Sequence, residues 1–573
     1  MKSHNFRKDR SMEGSIFRLK KAVSFSSQGR FDKAEKIFKK LRKEFPNWLD
    51  PYKFSGLNAI YDEKYQMALN FFQKAAWLSP ESPEIYDLLG TAQVKCQKPQ
   101  EAKASYEKAL KINPNNSGVQ TNLGNVLREL GDLEGAQNAY EMSLKIDPDY
   151  RQARVSLATV FHELGQYSKA EEIYKLLVVQ KSCDVGLYIN YSSTLLFQKK
   201  IKLAIEVCDE GLQRFGESPE LLFSKGHLLG LKGELSQSAR VLERLLLISP
   251  GHAQGSLALS IHYFLDEKWS EAWQAYEARF HTGNVSLRPF SHKFWQGEDL
   301  SGKTILIWGE QGVGDEVMFI SMLPDIINAG ADIIFETDER LLPIFQRSFP
   351  SVKFWARESS PAKELNSPLI DFQCPSGNLG RWLRRGESDF PKCHSFLVTQ
   401  KSTVEKLRGR YKKARSILVG LAWQSKNPEI GEAKSVTLKS LQPFFEVSGV
   451  RFIDLQYGDT SQERESFYAT SGYELFHDDS IDQMKSLDSF ACQVGAMDLI
   501  ISISNTTVHM AGALGVPVWV MLQNIPDRRW LMDRDDCPWY SSVRLFRQSR
   551  QGSWDEPIAN ATHALETFLH RYR

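Results

Sequence analysis

Apolar and small residues recur along the first half of the chain at helical spacing, and the whole pattern repeats every 34 positions. A small-residue column runs through Ala34, Ala68, Ala102, Ala136, Ala170, Ala204, Ser238 and Ala272. Four residues after each comes Phe38, Phe72, Tyr106, Tyr140, Tyr174, Cys208, Leu242 or Tyr276. Twelve residues before each comes Ala22, Gly56, Gly90, Gly124, Ala158, Ser192, Gly226 or Ser260. Twelve after the first seven come Pro46, Pro80, Pro114, Pro148, Ser182, Gly216 and Pro250. Proline is 23 of 573 residues, so seven positions would hold fewer than one by chance; they hold five.

The repeating unit reads as helix–turn–helix. Small residues in two columns let antiparallel helices approach closely, the aromatic column fills space between neighbouring units, and proline stops the second helix. These columns, clearest in NSGVQTNLGNVLRELGDLEGAQNAYEMSLKIDP, resemble the tetratricopeptide repeat, and the resemblance covers eight units over residues 15–286. It implies an α-solenoid whose concave face binds a protein partner or extended peptide. The columns themselves are structural and carry no chemistry.

Beyond residue 286 the pattern changes. Short apolar runs alternate with helical stretches: TILIW (304–308), DIIFE (332–336), LIDFQ (369–373), ILVGLAW (417–423), VRFIDLQ (450–456), DLIISIS (498–504) and PVWVML (517–522). Apolar strands separated by helices predict parallel sheets covered on both faces. The length suits two doubly wound lobes, residues 295–400 and 415–555, joined by the basic stretch Lys401–Arg415 and followed by a terminal helix over 556–573 whose docking side the sequence leaves open. A cleft is expected at the carboxyl ends of the strands.

Two loops at those ends carry candidate chemistry. In WGEQGVGDE, Gly309, Gly312 and Gly314 permit tight turning beside Gln311, and Asp315 stands where a helix begins. Asp315 is either an N-cap or a carboxylate exposed in the cleft. The spacing is not the G-x-G-x-x-G of a dinucleotide site, which disfavours a dehydrogenase. In SNTTVHMAGALGVPVW, Ser504, Asn505, Thr506 and Thr507 open a second helix whose N-terminus suits a diphosphate, and His509 lies one turn in, equally readable as packing or as a ligand contact. Trp530, Trp539 and Tyr540 read as packing groups.

EQGVGDEVMF, GLAWQSKNP, AKSVTL, SNTTVHMAGALGVPVW and PDRRWLMDRDDCPWYSSVRLFRQ follow one another as in glycosyltransferase family 9. The resemblance, to the heptosyltransferase-like domain, covers residues 295–555. It implies a GT-B fold, a nucleotide-activated sugar donor, no metal or other cofactor, and inversion at the anomeric carbon. Carried over by position, Asp315 is the general base, Lys434 offsets charge on the leaving diphosphate, Gln456 helps hold the nucleoside, and the 504–509 loop takes the phosphates. One position departs: Ser504-Asn505 stands where the family commonly has Asp-Thr.

Composition narrows the partners. Lys and Arg total 72 against 70 Asp and Glu, a net charge of +2, which lacks the basic surplus of a nucleic-acid binder. Seven cysteines without a CxxC pair read as reduced thiols of a cytoplasmic protein. No run approaches the ~20 apolar residues of a membrane span. The start, MKSHNFRKDRSMEGSIFRLKK, lacks the apolar core of a signal peptide; residues 1–14 read as a frayed basic arm whose membrane role is limited to peripheral contact with acidic lipid. Two functions are expected to compete: a glycosyltransferase whose repeats recruit a protein acceptor, and a repeat scaffold with a weakly active or inactive transferase-like domain.

Overall fold

The computed structural model describes residues 2–283, 285–392, 395–413, 416–427 and 431–572, with side chains from residue 13 to residue 570. The chain divides into two compact units, Met1–Lys232 and Gly233–Arg573.

The first unit is a series of antiparallel helix pairs, from Lys2–Ser27 with Phe31–Glu44 onwards. The first helix begins at Lys2, so the segment expected to be a frayed arm is helical. Ala34, Ala68, Ala102, Ala136, Ala170 and Ala204 are fully buried. A Cβ added to Gly56 would lie 2.4 Å from the Phe72 ring, and one on Gly124 would lie 2.5 Å from Tyr140. Each ring therefore lies against the glycine of its own helix pair, which corrects the expectation that it fills space between units. The second helices end at Glu44, Leu78, Ile112 and Ile146, two residues before Pro46, Pro80, Pro114 and Pro148.

A further column escaped the sequence reading. Gly29, Glu63, Gln97, Gly131, Gly165 and Lys199 stand 34 apart in the turn between paired helices, and all adopt left-handed φ of 57–82°. Gly233 and Glu267 continue it in the second unit. Half of the column is not glycine, so residue identity alone conceals it.

The second unit opens with three repeat helices, Leu235–Ile248, Ala253–Leu265 and Trp269–Tyr276. Phe264, Trp269, Trp273 and Tyr276 share one apolar core with Ile305, Phe319, Phe390 and Trp539 of the α/β region. Trp273 Nε1 donates to the Arg384 carbonyl at 2.8 Å. The boundary expected at residue 286 is thus not a boundary between compact bodies, because the last repeat helices are built into the α/β unit.

Two five-stranded sheets follow. The first contains β1 (Lys293–Phe294), β2 (Thr304–Trp308), β3 (Asp332–Thr337), β4 (Lys353–Ala356) and β5 (Phe372–Pro375), in the order β1-β5-β2-β3-β4. The second contains β6 (Ile417–Ala422), β7 (Val450–Asp454), β8 (Leu499–Ile503), β9 (Val518–Leu522) and β10 (Val543–Arg547), in the order β10-β9-β8-β6-β7. Every strand pair is parallel. Ile305 and Ile307 face one core while Leu306 and Trp308 face another, as a sheet covered on both sides requires.

The link between the sheets is the helix Lys401–Tyr411, fixed to the second lobe by Arg408 on Asp498 and by the Tyr411 hydroxyl on Asp478 at 2.6 Å. Ala414 and Arg415, the end of the expected connection, lie outside the described residues. The final helix, Asp555–Tyr572, packs Ile558, Ala561 and Leu565 onto the second sheet beside Val419, Ile501 and Trp519. Six cysteines are free thiols; Cys393 lies outside the described residues. Among the described residues, no helix is long and apolar enough to cross a membrane.

Candidate functional site

Both chemistry-bearing loops sit where strand order reverses. From β2 the first sheet builds outward through β3 and β4, then returns to β5 on the other side of β2. From β6 the second sheet builds to β7, then returns to β8 on the other side. Loops leaving such neighbouring strands diverge and open a crevice, the usual ligand position in parallel sheets.

The loop after β2 is gripped from the repeat side. Arg279 donates to both carboxylate oxygens of Glu310 at 2.6 Å, and Gly377 N adds a third bond to that carboxylate at 2.9 Å. Both side chains are about 1% exposed, so the charges are paired within the interior. Gln311 takes a left-handed φ of 61° and donates from Nε2 to the Tyr276 hydroxyl at 2.7 Å. Gly312 precedes the helix Val313–Phe319, which places Asp315 in the first turn.

Asp315 is not the N-cap. Its carboxylate is ion-paired with Arg529 and lies 3.5 Å from Arg528. Arg529 also holds Asp527 at 2.8 Å. Arg528 donates to the Tyr276 hydroxyl at 2.7 Å, with its guanidinium 4.5 Å above the Tyr276 ring. Burial pushes Asp315 toward the neutral acid, but Arg529 and Arg528 outweigh it and hold the carboxyl below its usual range. Asp527 is held low by the same two arginines against the same burial.

Lys434 ends the short helix Gly431–Lys434 and makes no ion pair among the described residues. Burial lowers its ammonium pKa; Asp527 and Asp315 pull the other way, while Arg529 and Arg528 add to the lowering. Lys434, Arg528 and Arg529 against Asp315 and Asp527 leave three cations facing two carboxylates. The excess charge of +1 suits an anionic ligand.

At the second loop, Asn505 caps the helix Thr506–Leu514 by accepting from Thr507 N at 3.1 Å. Ser504 Oγ accepts from Trp530 Nε1 at 2.8 Å. Thr506 is half-buried and its hydroxyl has no partner among the described residues, whereas the Thr507 side chain is buried. His509 is a packing group rather than a ligand contact. It is buried, bonded to the Tyr540 hydroxyl at 2.9 Å and stacked on Trp530 at 5.7 Å. Burial, reinforced by Arg529, drives its imidazole down to about 3, so it is neutral near pH 7. A Cβ on Gly314 would meet His509 Cδ2 at 2.9 Å, so glycine is what lets the two site helices touch.

Gln456 corrects another expectation. Its Oε1 accepts from Trp423 N at 2.9 Å and Gln424 N at 2.8 Å, and its Nε2 donates to the carbonyls of Gln424 and Tyr457. The amide ties the loops after β6 and β7 together and leaves nothing to offer a nucleoside. Trp530, Trp539 and Tyr540 are buried, as packing groups should be. Asp527, Arg528, Arg529 and Tyr276 are the site residues that sequence reasoning missed. Adjacent arginines in the loop after β9 were the available signal.

The tetratricopeptide repeat matches residues 18–47, 83–116, 105–138 and 127–181. Protein FlbA of Caulobacter vibrioides is 33% identical over 315 residues, which are 52% of this chain and 52% of FlbA. The chain thus spans about half the length of that curated relative. Among solved structures, a tetratricopeptide repeat protein of Parabacteroides merdae is 17% identical with a TM-score of 0.35, over 44% of this chain and 99% of its own. YrrB, a tetratricopeptide-repeat protein with an unusual peptide-binding site, is 21% identical with a TM-score of 0.30, over 33% and 97% of the two chains. The chain carries tetratricopeptide repeats in its helical part and a pair of parallel α/β sheets after them.

Proposed function

We propose that the α/β part is a GT-B glycosyltransferase of the family 9 type, inverting and independent of metal, and that the repeats recruit a protein acceptor or partner. The observation that carries the reading is the cluster of Asp315, Lys434, Asp527, Arg528 and Arg529, drawn from loops at the switch points of both sheets and the loop after β9. In the proposed reaction the acceptor oxygen attacks the anomeric carbon from the face opposite the nucleotide. The bond from that carbon to the diphosphate oxygen breaks, and the acceptor proton passes to Asp315. Lys434, Arg528 and Arg529, with the N-terminus of the 506–514 helix and the Thr506 hydroxyl, take the charge that develops on the diphosphate. Asp315 starts out tied to Arg529, which makes it a weak base; a diphosphate competing for Arg529 would free it for the acceptor.

One observation favours a second reading. The carboxylate assigned as base is already neutralised by an arginine, as expected of a repeat scaffold whose transferase-like domain binds donor without turning it over. Calorimetry with UDP, GDP and ADP, with and without EDTA, followed by assay of the matching sugar nucleotides, separates the readings. Binding that survives EDTA, together with turnover, supports the transferase; binding without turnover supports the scaffold. Loss of binding in EDTA overturns metal independence, and no binding by any nucleotide overturns the donor site.

A further inference from the structure

Tyr276 belongs to the repeat pattern by position, as the eighth member of the aromatic column that begins at Phe38. Its hydroxyl does something that column does not require. The oxygen accepts from Gln311 Nε2 and from Arg528 Nη2, both at 2.7 Å, and so joins the loop after β2 to the loop after β9. The ring lies under two guanidinium groups, Arg528 at 4.5 Å and Arg279 at 4.3 Å. Elsewhere in the column the hydroxyl bonds to other repeat residues, as when Tyr140 donates to Asn125 at 2.8 Å and also meets Ser156 and Arg128, and at Phe38 and Phe72 there is no hydroxyl at all. Phenylalanine therefore satisfies the packing role of the column.

We infer that Tyr276, supplied by the last repeat helix, is a positioning residue of the α/β site: its hydroxyl fixes Arg528 and the Gln311 loop so that Arg528 faces both Asp315 and the anionic ligand. This rests on the donor-binding reading above. Arg528 is long and flexible, and orienting it costs side-chain entropy at the moment of binding unless it is already held. A phenol oxygen and a ring face hold it at both the edge and the plane of the guanidinium. The last repeat thereby contributes to ligand affinity without touching ligand.

The test is Tyr276→Phe in the full chain, with Tyr140→Phe as the matched change elsewhere in the column. Both are expected to stay folded and to melt cooperatively a few degrees below the wild type, since each loses the hydrogen bonds of a buried hydroxyl. With whichever of UDP, GDP and ADP binds the wild type most tightly, Tyr276→Phe should lose about tenfold in affinity, as when a hydrogen bond to a charged group is removed, and Tyr140→Phe should lose none. Amide hydrogen exchange over residues 524–531 should quicken in Tyr276→Phe alone. In an Arg528→Gln background Tyr276→Phe should cost little further affinity, since the hydroxyl acts through Arg528. Wild-type affinity and exchange in Tyr276→Phe, or an undiminished effect without Arg528, would overturn the inference while the donor reading stands. If the wild type binds none of the nucleotides, the donor reading falls; unchanged loop exchange would then overturn the grip on Arg528, and faster exchange would uphold it.

Discussion

Replacing Asp315 with asparagine separates its structural from its chemical role. Removing one partner of a buried ion pair costs about 3–5 kcal/mol when the other charge is left alone. Here Arg529 keeps Asp527 at 2.8 Å, and the asparagine oxygen still accepts from the guanidinium, so the expected cost is that of one charge-assisted hydrogen bond, about 1.5–3 kcal/mol. The pH dependence gives an independent reading. Asp315 has a depressed folded-state pKa, because Arg529 and Arg528 outweigh the opposing effect of burial. Its stabilising contribution is therefore complete above the unfolded value near 3.9 and is lost as pH falls below it toward the folded value. Urea midpoints of wild type and variant should differ by a constant amount between pH 6 and 8, and the gap should close in acid below about pH 4. Nucleoside diphosphate affinity should rise, because Arg529 then has one carboxylate fewer to leave, while turnover should fall by about 10²–10⁴. A gap that widens in acid would refute the ion-pair reasoning, weaker diphosphate binding would refute the competition for Arg529, and unchanged turnover would remove Asp315 as the base.

Three further outcomes are expected. In the left-handed turn column, Glu63→Gly, Gln97→Gly and Lys199→Gly should each raise stability by about 0.5–1 kcal/mol, and Gly131→Ala should lower it by about 1 kcal/mol, measured by urea denaturation; equal and opposite results would mean that these turns relax freely. Diphosphate affinity should decline with rising pH before an ordinary lysine near 10.4 would titrate, because burial lowers the Lys434 ammonium, and Lys434→Gln should flatten that limb in calorimetric titrations. A chain of residues 233–573 should unfold cooperatively, whereas residues 287–573, stripped of Trp273 and Tyr276 and with Glu310 deprived of Arg279, should lose at least about 3–5 kcal/mol and fail to give a sharp thermal transition.

The repeats were legible because the same packing problem recurs every 34 residues and has few solutions: alanine between helices, glycine under a ring, proline past the helix end. The left-handed turn recurs as faithfully but is a property of backbone rather than side chain, and Glu63, Gln97, Lys199 and Glu267 give no hint of it. The central strands were legible from unbroken apolar runs. β1 is two residues long, β4 is only half-buried, and β10 lies at a sheet edge with Arg544 exposed, so each lacks that run. Gln456 was misread because a polar side chain at a strand end looks the same whether it meets ligand or neighbouring backbone.

The unseen part of the site has a common cause. Arg528 and Asp315 are 213 residues apart, and nothing local to either marks the other as its partner. Tyr276 was hidden in the opposite way, since it fitted a pattern so well that the pattern seemed to account for it. Periodicity identifies what equivalent residues share, and it is blind to what one of them does alone. The eight column positions share a ring or apolar group against a small residue, but Tyr276 alone has Gln311 and Arg528 on its oxygen. A repeat helix buried in an α/β core is therefore where a structural column gains a second role, because there the hydroxyl at the ring edge meets the loops after β2 and β9.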